Sequence, residues 1–438
     1  MKKVTIVGNN ISAMMSALTL AKKGYNVELK SSSKTLGGYF RGIVADGHQF
    51  DAGMNLLEFS SHKPFQSSNL DDYNPQVRGD SGRFTSIIKD YMKMFGEYNK
   101  IKSPQMYIGN SYYPDLFISN NLKFLTDLPS GAKNIMKGDL GKILASSSPL
   151  HASQKHTSTF EEHTLEAVSL ANHGKTFHEM FIEPFCKKMT GCSSSAFMGL
   201  FHRSLWLPLF YPETLYDALN NKHNLSESEF HYPVIGSFAS LVTLMENELK
   251  QSGVNIVNKK IERRDVEVNS IWTLDQDALL SLCDTSFLPF DKSDITLAFV
   301  LIETKNIKKN FSTMYIPHDN NLPFRITNQS VCSGVEPELT KICLEWGCNQ
   351  NEYTKLTQDA LLQLGVIDKL EDIQKIQITV AKKALMLPTF ENFKLSKEKN
   401  DMLAEMFPDV KFIGASAPFG ATSFNDQIVQ STMKGIYE

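Results

Sequence analysis

The residues best suited to chemistry come first in the chain. Val4-Thr5-Ile6-Val7 runs into Gly8-Asn9-Asn10-Ile11-Ser12-Ala13, the strand, tight turn and helix start of a diphosphate-binding element. In a G-x-G-x-x-G turn the first glycine makes the bend. The second lets the backbone approach the phosphates, and the third lets helix pack on strand. The negative charge then rests on the N–H groups at the helix N-terminus. Here Gly8 fills the first position, Asn10 the second and Ala13 the third. Alanine at the third is a mild change. Asparagine at the second puts a side chain where phosphate should lie, although its amide can donate to a phosphate oxygen and it tolerates positive φ. The acidic residue expected at the end of the second strand, to hold a ribose, is Ser31. A hydroxyl offers one neutral contact where a carboxylate offers charge-assisted ones. Ser31, Ser32 and Lys34 would also suit a phosphorylated ribose, which gives NADP a lesser claim.

A second set of residues could serve a substrate: Arg203, Trp206, His231, Tyr232, Tyr315 and Arg325. The guanidinium of Arg325 can clamp a carboxylate or phosphate, His231 can carry a proton, and Tyr315 is a third candidate for the chemistry. Each has a structural alternative. Arg325 could close an ion pair, Trp206 among Leu205, Leu207 and Leu209 could be core, and His231 beside Tyr232-Pro233 could be a fixed hydrogen-bonding group.

The elements that position these residues follow from periodicity. Val4–Val7 reads as a strand buried on both faces. Ile11, Met14, Met15, Leu18 and Ala21 recur at helical spacing, Lys22-Lys23 suit the helix C-terminus, and Gly24 stops it. Val27–Lys30 is the second strand. A loop is expected over Ser60–Asp80, a helix near Phe84–Phe95, a hairpin in Met106–Phe124 turning at Gly109-Asn110, and helices over Thr159–Lys188 and Ala239–Gln251. Strands are expected at Val254–Val257, Ile295–Ile302, Ser312–Ile316, Phe324–Ile326, Ile342–Trp346 and Lys411–Ile413. Helices are expected at Thr357–Leu364, Lys397–Met406 and Gln427–Gly435.

Further along, the motifs carry a resemblance. Leu36-Gly37-Gly38 followed by Asp46-Gly47-His48-Gln49-Phe50-Asp51-Ala52-Gly53 resembles the amine oxidase, phytoene desaturase and protoporphyrinogen oxidase group of FAD proteins, with UDP-galactopyranose mutases as relatives. Other pieces match in the same order: Phe181–Lys188 with Thr190-Gly191, Phe230–Phe238, Ile271–Leu274, Pro323–Ile326, Phe412-Ile413-Gly414 and Ser423–Ile428. The resemblance implies FAD as cofactor, held by Gly8, Asn10, Ile11, Ser12, Ser31, Gly37, Gly38, Gly53, Met54, Gly414, Asp426, Gln427 and Ile428. It implies that Asp426-Gln427-Ile428 offer backbone N–H groups to the flavin. Ala415 departs from the polar residue usual after Gly414, and the return segment Ile261–Thr273 is short, so the small strand layer that frames the adenine should be trimmed. Asn10, Ser31 and Ala415 all erode contacts to one ligand. At roughly 1–2 kcal/mol each, affinity would fall by about two to four decades.

Composition sets the bounds. The chain has 438 residues, 42% hydrophobic and 21% charged, with a formal net charge of -3. That size implies two domains. The charge and the absence of a basic cluster exclude a broad nucleic-acid surface. Cys186, Cys192, Cys283, Cys332, Cys343 and Cys348 make no C-x-x-C pair and no zinc spacing, so reduced, mostly buried thiols and no metal are expected. No cleavable signal precedes the first strand and no apolar run spans a bilayer, so a cytoplasmic protein is expected. The expected fold is α/β: a discontinuous Rossmann-type FAD-binding domain (1–60, 230–280, 405–438) plus a substrate domain with antiparallel sheet and helices (61–229, 281–404). Three functions stay open. The first is an FAD-dependent oxidoreductase of the amine oxidase/desaturase type acting on a small organic substrate. The second is a non-redox flavin-dependent sugar-nucleotide isomerase or mutase, which would take a sugar-linked or anionic molecule. The third is a cofactor-free, non-catalytic descendant of the fold.

Overall fold

The structure, a computed structural model, describes residues 2–59, 88–119, 121–151, 157–222, 228–347, 351–416 and 423–434. The loop expected at Ser60–Asp80, Phe84 to residue 87, Cys348 and Gly435 lie outside them. The chain forms two compact units. Unit 1 comprises Met1–Asn99, Phe230–Phe290 and Glu391–Glu438, and unit 2 comprises Lys100–Glu229 and Asp291–Phe390.

Unit 1 is built on a parallel sheet. Its strands are β1 (Lys3–Val7), β2 (Asn26–Ser31), β3 (Asn255–Asn258), β4 (Ile271–Trp272) and β5 (Lys411–Phe412), in the order β3-β2-β1-β4-β5. Every pair is parallel. Val4 to Val7 are all buried, as expected for a strand covered on both faces. Helix α1 (Ile11–Lys22) connects β1 to β2, and its residues from Ile11 to Leu20 are all buried. Helix α2 (Phe238–Gln251) leads into β3, and α3 (Phe390–Met406) into β5. The last helix, α4 (Phe424–Lys434), packs on α1. From β1 the chain goes to β2 on one side, while β4 lies on the other. The ends of β1 and β4 therefore flank the topological switch point, where open α/β sheets bind ligands. Between β3 and β4 the described chain holds one short helical turn, Arg263–Asp265, so the trimmed return segment is present.

Unit 2 carries a seven-stranded sheet. In spatial order its strands are Ile373–Met386, Lys292–Glu303, Leu339–Trp346, Arg325–Asn328, Thr313–Tyr315, Gln105–Ile108 and Ser111–Pro114. All pairs are antiparallel except Thr313–Tyr315 with Gln105–Ile108. The hairpin turns at Gly109 and Asn110, both at positive φ (54° and 64°), as the dipeptide predicts. The edge strand Ile373–Met386 has no counterpart among the expected strands. Its residues are largely half-buried or exposed and rich in lysine, the usual protection of an open edge, so its hydrophobic pattern is faint. Helices Leu165–Phe177 and Glu183–Thr190 are joined by a π-helical segment, His178–Ile182. The five cysteines described form no disulfide, with Cys186, Cys332 and Cys343 buried and Cys192 and Cys283 half-buried. Among the described residues no helix is long and apolar enough to cross a membrane, and no cluster of side chains would hold a metal.

Two buried histidines give unit 2 an acid sensitivity. His173 Nε2 accepts from the Phe210 N–H at 2.9 Å, and His202 Nδ1 lies 2.8 Å from the Leu207 carbonyl. Burial drops both imidazoles to about 3. In the unfolded chain they titrate near the ordinary 6.5. Below that pH the unfolded chain binds protons that the folded chain refuses. Stability should therefore fall by about 1.4 kcal/mol per pH unit for each histidine as pH drops from 6.5 toward 3. Urea unfolding from pH 7 to 5 should show this slope, and His173→Gln should reduce it. A pH-independent midpoint over that range would contradict the assignment.

Candidate functional site

The site at the switch point is built from three segments of unit 1. Gly8 takes φ +145°, and a Cβ there would sit 2.0 Å from Thr273 Oγ1, so only glycine lets the turn pass the end of β4. Asn10 is the cap of α1. Its Oδ1 accepts from the Ala13 N–H at 3.0 Å, and its Nδ2 donates to the Thr273 carbonyl at 2.7 Å. In this structure Asn10 is engaged within the chain through its side chain. At φ -82° and ψ 176° it is extended, and the amide folds back onto the helix and across to β4. A polar side chain at a helix cap finds the helix's own free N–H groups sooner than it finds a ligand.

The neighbouring donors are also engaged. The Ser12 N–H donates to Gln427 Oε1 at 3.2 Å, a link between positions 415 apart. The backbone N–H groups of Asp426 and Gln427, expected to face a flavin, have acceptors within the chain in this structure. Ser423 caps α4: its Oγ accepts from the Asp426 N–H at 3.1 Å, and its carbonyl accepts from the Gln427 N–H at 3.0 Å. Gln427 contributes its side chain instead. Ile428 is fully buried. Ser31 closes a turn on itself, its Oγ accepting from the Ser33 N–H at 3.0 Å and donating to the Ser33 carbonyl at 3.1 Å.

Other parts keep the shape of a nucleotide cradle. Gly37 and Gly38 both have positive φ (100° and 57°), and a Cβ on Gly38 would lie 3.7 Å from Asn10 Cα, so this pair sits directly on the first turn. Gly53 also has positive φ (82°), and Met54, beside it, is half-buried. Asp51 in the same stretch accepts from the Phe238 N–H at 3.0 Å and from the Tyr232 hydroxyl, tying it to the start of α2. Gly414 has φ +64°, and a Cβ there would meet Ser12 Oγ at 2.7 Å. The Ser12 hydroxyl is fully buried and has no hydrogen-bond partner among the described residues. The Ile11 N–H, at the first helical position, is beyond the reach of intrahelical acceptors. An orphaned hydroxyl and a helix-terminal N–H, ringed by glycines, fit a diphosphate oxygen. The residues present therefore fit FAD at this point, with Asn10 and Gln427 as competitors for its contacts.

The candidate substrate residues fall into two groups. His231 lies in unit 1, its ring 4.6 Å from that of Phe59, in a cavity of about 430 Å³ lined also by Lys89, Lys93, Gly96, Glu97 and Tyr98. Tyr315 and Arg325 meet in unit 2, with both side chains buried. Arg325 makes two 2.6 Å bonds to the Glu345 carboxylate and one of 3.4 Å to the Tyr315 hydroxyl, while its guanidinium lies 4.3 Å from the Trp206 ring centre. Burial pushes the Tyr315 phenol well above its ordinary range, and the Glu345 carboxylate holds Arg325 charged. The ion-pair alternative for Arg325 is the one realised: its carboxylate comes from the chain itself. Glu345 had no motif to reveal it, lying 20 positions away on the adjoining strand.

Comparison with known proteins places this architecture. No family model matches the chain. A curated relative, the 1-hydroxycarotenoid 3,4-desaturase of Flavobacterium sp. (strain P99-3), is 39% identical over 57 residues, 13% of this chain and 12% of that protein. Among solved structures, reduced UDP-galactopyranose mutase matches with a TM-score of 0.69 at 15% identity, covering 99% of this chain and 92% of that one. Cyclohexylamine oxidase from Brevibacterium oxydans IH-35A matches with a TM-score of 0.58 at 11% identity, covering 99% and 98%. Wild-type putrescine oxidase bound to putrescine matches with a TM-score of 0.55 at 10% identity, over 99% and 98%. The chain shares the fold of UDP-galactopyranose mutase and of these two amine oxidases. The resemblance carried by scattered motifs is thus a likeness of the whole α/β fold.

The buried pair makes a direct expectation. Glu345→Gln should leave the Arg325 charge uncompensated and cost about 3–5 kcal/mol in urea unfolding. Arg325→Met combined with Glu345→Leu should recover most of it. Unchanged stability in Glu345→Gln would return Arg325 to the list of ligand-binding groups.

Proposed function

We propose that the protein is an FAD-dependent oxidoreductase of the amine oxidase/desaturase type that acts on a small organic substrate. One observation carries this reading: the fully buried Ser12 hydroxyl, without a hydrogen-bond partner among the described residues, at the helix terminus beside the β1–β4 switch point. A buried hydroxyl left unpaired is costly and calls for a ligand oxygen. The whole-chain fold likeness supports the same reading.

In this reading the Ile11 N–H and the Ser12 hydroxyl take the diphosphate, Gly37, Gly38 and Gly414 keep the cradle free of side chains, and Ser31 is the remaining hydroxyl on the ribose side. Bound FAD would supply the two-electron acceptor. The chain's part is to orient it, exclude water and position the substrate. His231, beside Lys89, Lys93 and Glu97 in one cavity, is the candidate proton carrier there, and the excess of one positive charge favours an organic anion. Asp51, held between Tyr232 and the α2 N-terminus, fixes the Phe50–Gly53 stretch that the resemblance leads toward the flavin ring.

Fluorescence titration of the purified protein with FAD tests the proposal. Saturable quenching is expected, together with flavin reduction by at least one member of a panel of amines and organic acids under anaerobic conditions. Thermal protection by a UDP-sugar without flavin reduction would favour the non-redox isomerase reading instead. No FAD uptake up to millimolar concentration would overturn the flavin reading and leave the cofactor-free descendant.

A further inference from the structure

We infer that Asn10 and Gln427 are built-in stand-ins for a diphosphate: they close the first turn of α1 in the flavin-free chain, and FAD binds by displacing them. The inference rests on the flavin reading above and concerns how this chain occupies that site.

A helix leaves its first N–H groups without intrahelical partners, and a dinucleotide turn normally lends them to phosphate. In this chain two of them already have side-chain acceptors. Asn10 Oδ1 takes the Ala13 N–H at 3.0 Å, and Gln427 Oε1 takes the Ser12 N–H at 3.2 Å. Both acceptors are amide oxygens, which imitate a phosphate oxygen in geometry without its charge. The Asn10 amide also donates to Thr273 O at 2.7 Å, so the stand-in spans the ends of β1 and β4, where a dinucleotide would cross.

The substitution is incomplete, and that points to a ligand. Ser12 Oγ, 0% exposed, faces Gly414 and has no hydrogen-bond partner among the described residues. Were the chain selected only to close this turn, nothing would keep a hydroxyl there, since alanine would pack without an unsatisfied group. The Gln427 backbone is held by the Ser423 cap, separately from the side-chain contact with Ser12. Each displaced bond lowers FAD affinity by roughly tenfold. The outcome is a chain that holds its fold without cofactor and exchanges FAD readily, where an open glycine turn would depend on the cofactor to satisfy its donors.

The test compares wild type with Asn10→Gly, Gln427→Leu, the double variant and Ser12→Ala. It uses flavin-free melting temperature and FAD affinity by fluorescence titration, neither of which requires turnover. Asn10→Gly and Gln427→Leu should each lower the flavin-free melting temperature, by roughly 1–3 °C. Each should tighten FAD binding by about tenfold, and more together. Ser12→Ala should weaken FAD binding while raising the flavin-free melting temperature, because it removes a buried unpaired hydroxyl. Wild type that binds FAD, with Asn10→Gly and Gln427→Leu binding no tighter, overturns the displacement and leaves the flavin reading intact. If no form binds FAD, the flavin reading itself fails and takes the displacement with it. Unchanged flavin-free melting in both single variants overturns the claim that the two amides hold the turn.

Discussion

One side-chain amide decides how the switch-point end of the parallel sheet is held. Asn10 joins the Ala13 N–H to the Thr273 carbonyl, and so fastens the first turn of α1 to the end of β4. The parallel sheet places these two ends side by side at its switch point, and the glycines at 8, 37, 38 and 414 strip away the side chains that would obstruct them. A helix terminus in that position must find acceptors, because unpaired N–H groups buried from water are costly. In this chain Asn10 and Gln427 supply them. The common pattern supplies them from a bound anion. The difference lies in which partner satisfies the same donors, so the fold survives the loss of the second glycine.

The same requirement organises polar groups elsewhere. Asp51 accepts from the start of α2, Asp115 accepts from the Phe117, Ile118 and Ser119 N–H groups, and Glu345 answers the Arg325 guanidinium. Asp115 is fully buried, and burial pushes its carboxyl up against the pull of those N–H donors. Each is an internal acceptor that keeps a buried donor from going unmet. Arg325 shows how such pairing can mislead a reading from sequence. Arginine beside aromatic residues suggests an anion site, and its anion is a carboxylate of the adjoining strand.

Much of the fold was legible. The apolar run at Val4–Val7, the helical spacing from Ile11 to Ala21 and the stop at Gly24 fix the opening unit, and the Gly109-Asn110 pair fixes a hairpin. These are local signals, in which the residues that specify an element lie within it. What stayed hidden depends on contacts between distant positions: Gln427 on Ser12, Glu345 on Arg325, and the edge strand Ile373–Met386, whose lysines mask its alternation. The cap at Asn10 is legible in the sequence. Asparagine three positions before a helical residue is a helix-start signature. Measured against a glycine template it reads as damage, and measured against helix capping it reads as a replacement.

The most direct test of this account is a crystal structure of the protein soaked with FAD, set beside the flavin-free crystal. The account predicts diphosphate density against Ile11 and Ser12, with the Asn10 amide turned off Thr273 and the Gln427 amide off the Ser12 N–H. Density for FAD with both amide contacts intact, or an empty crevice at saturating FAD, would contradict it.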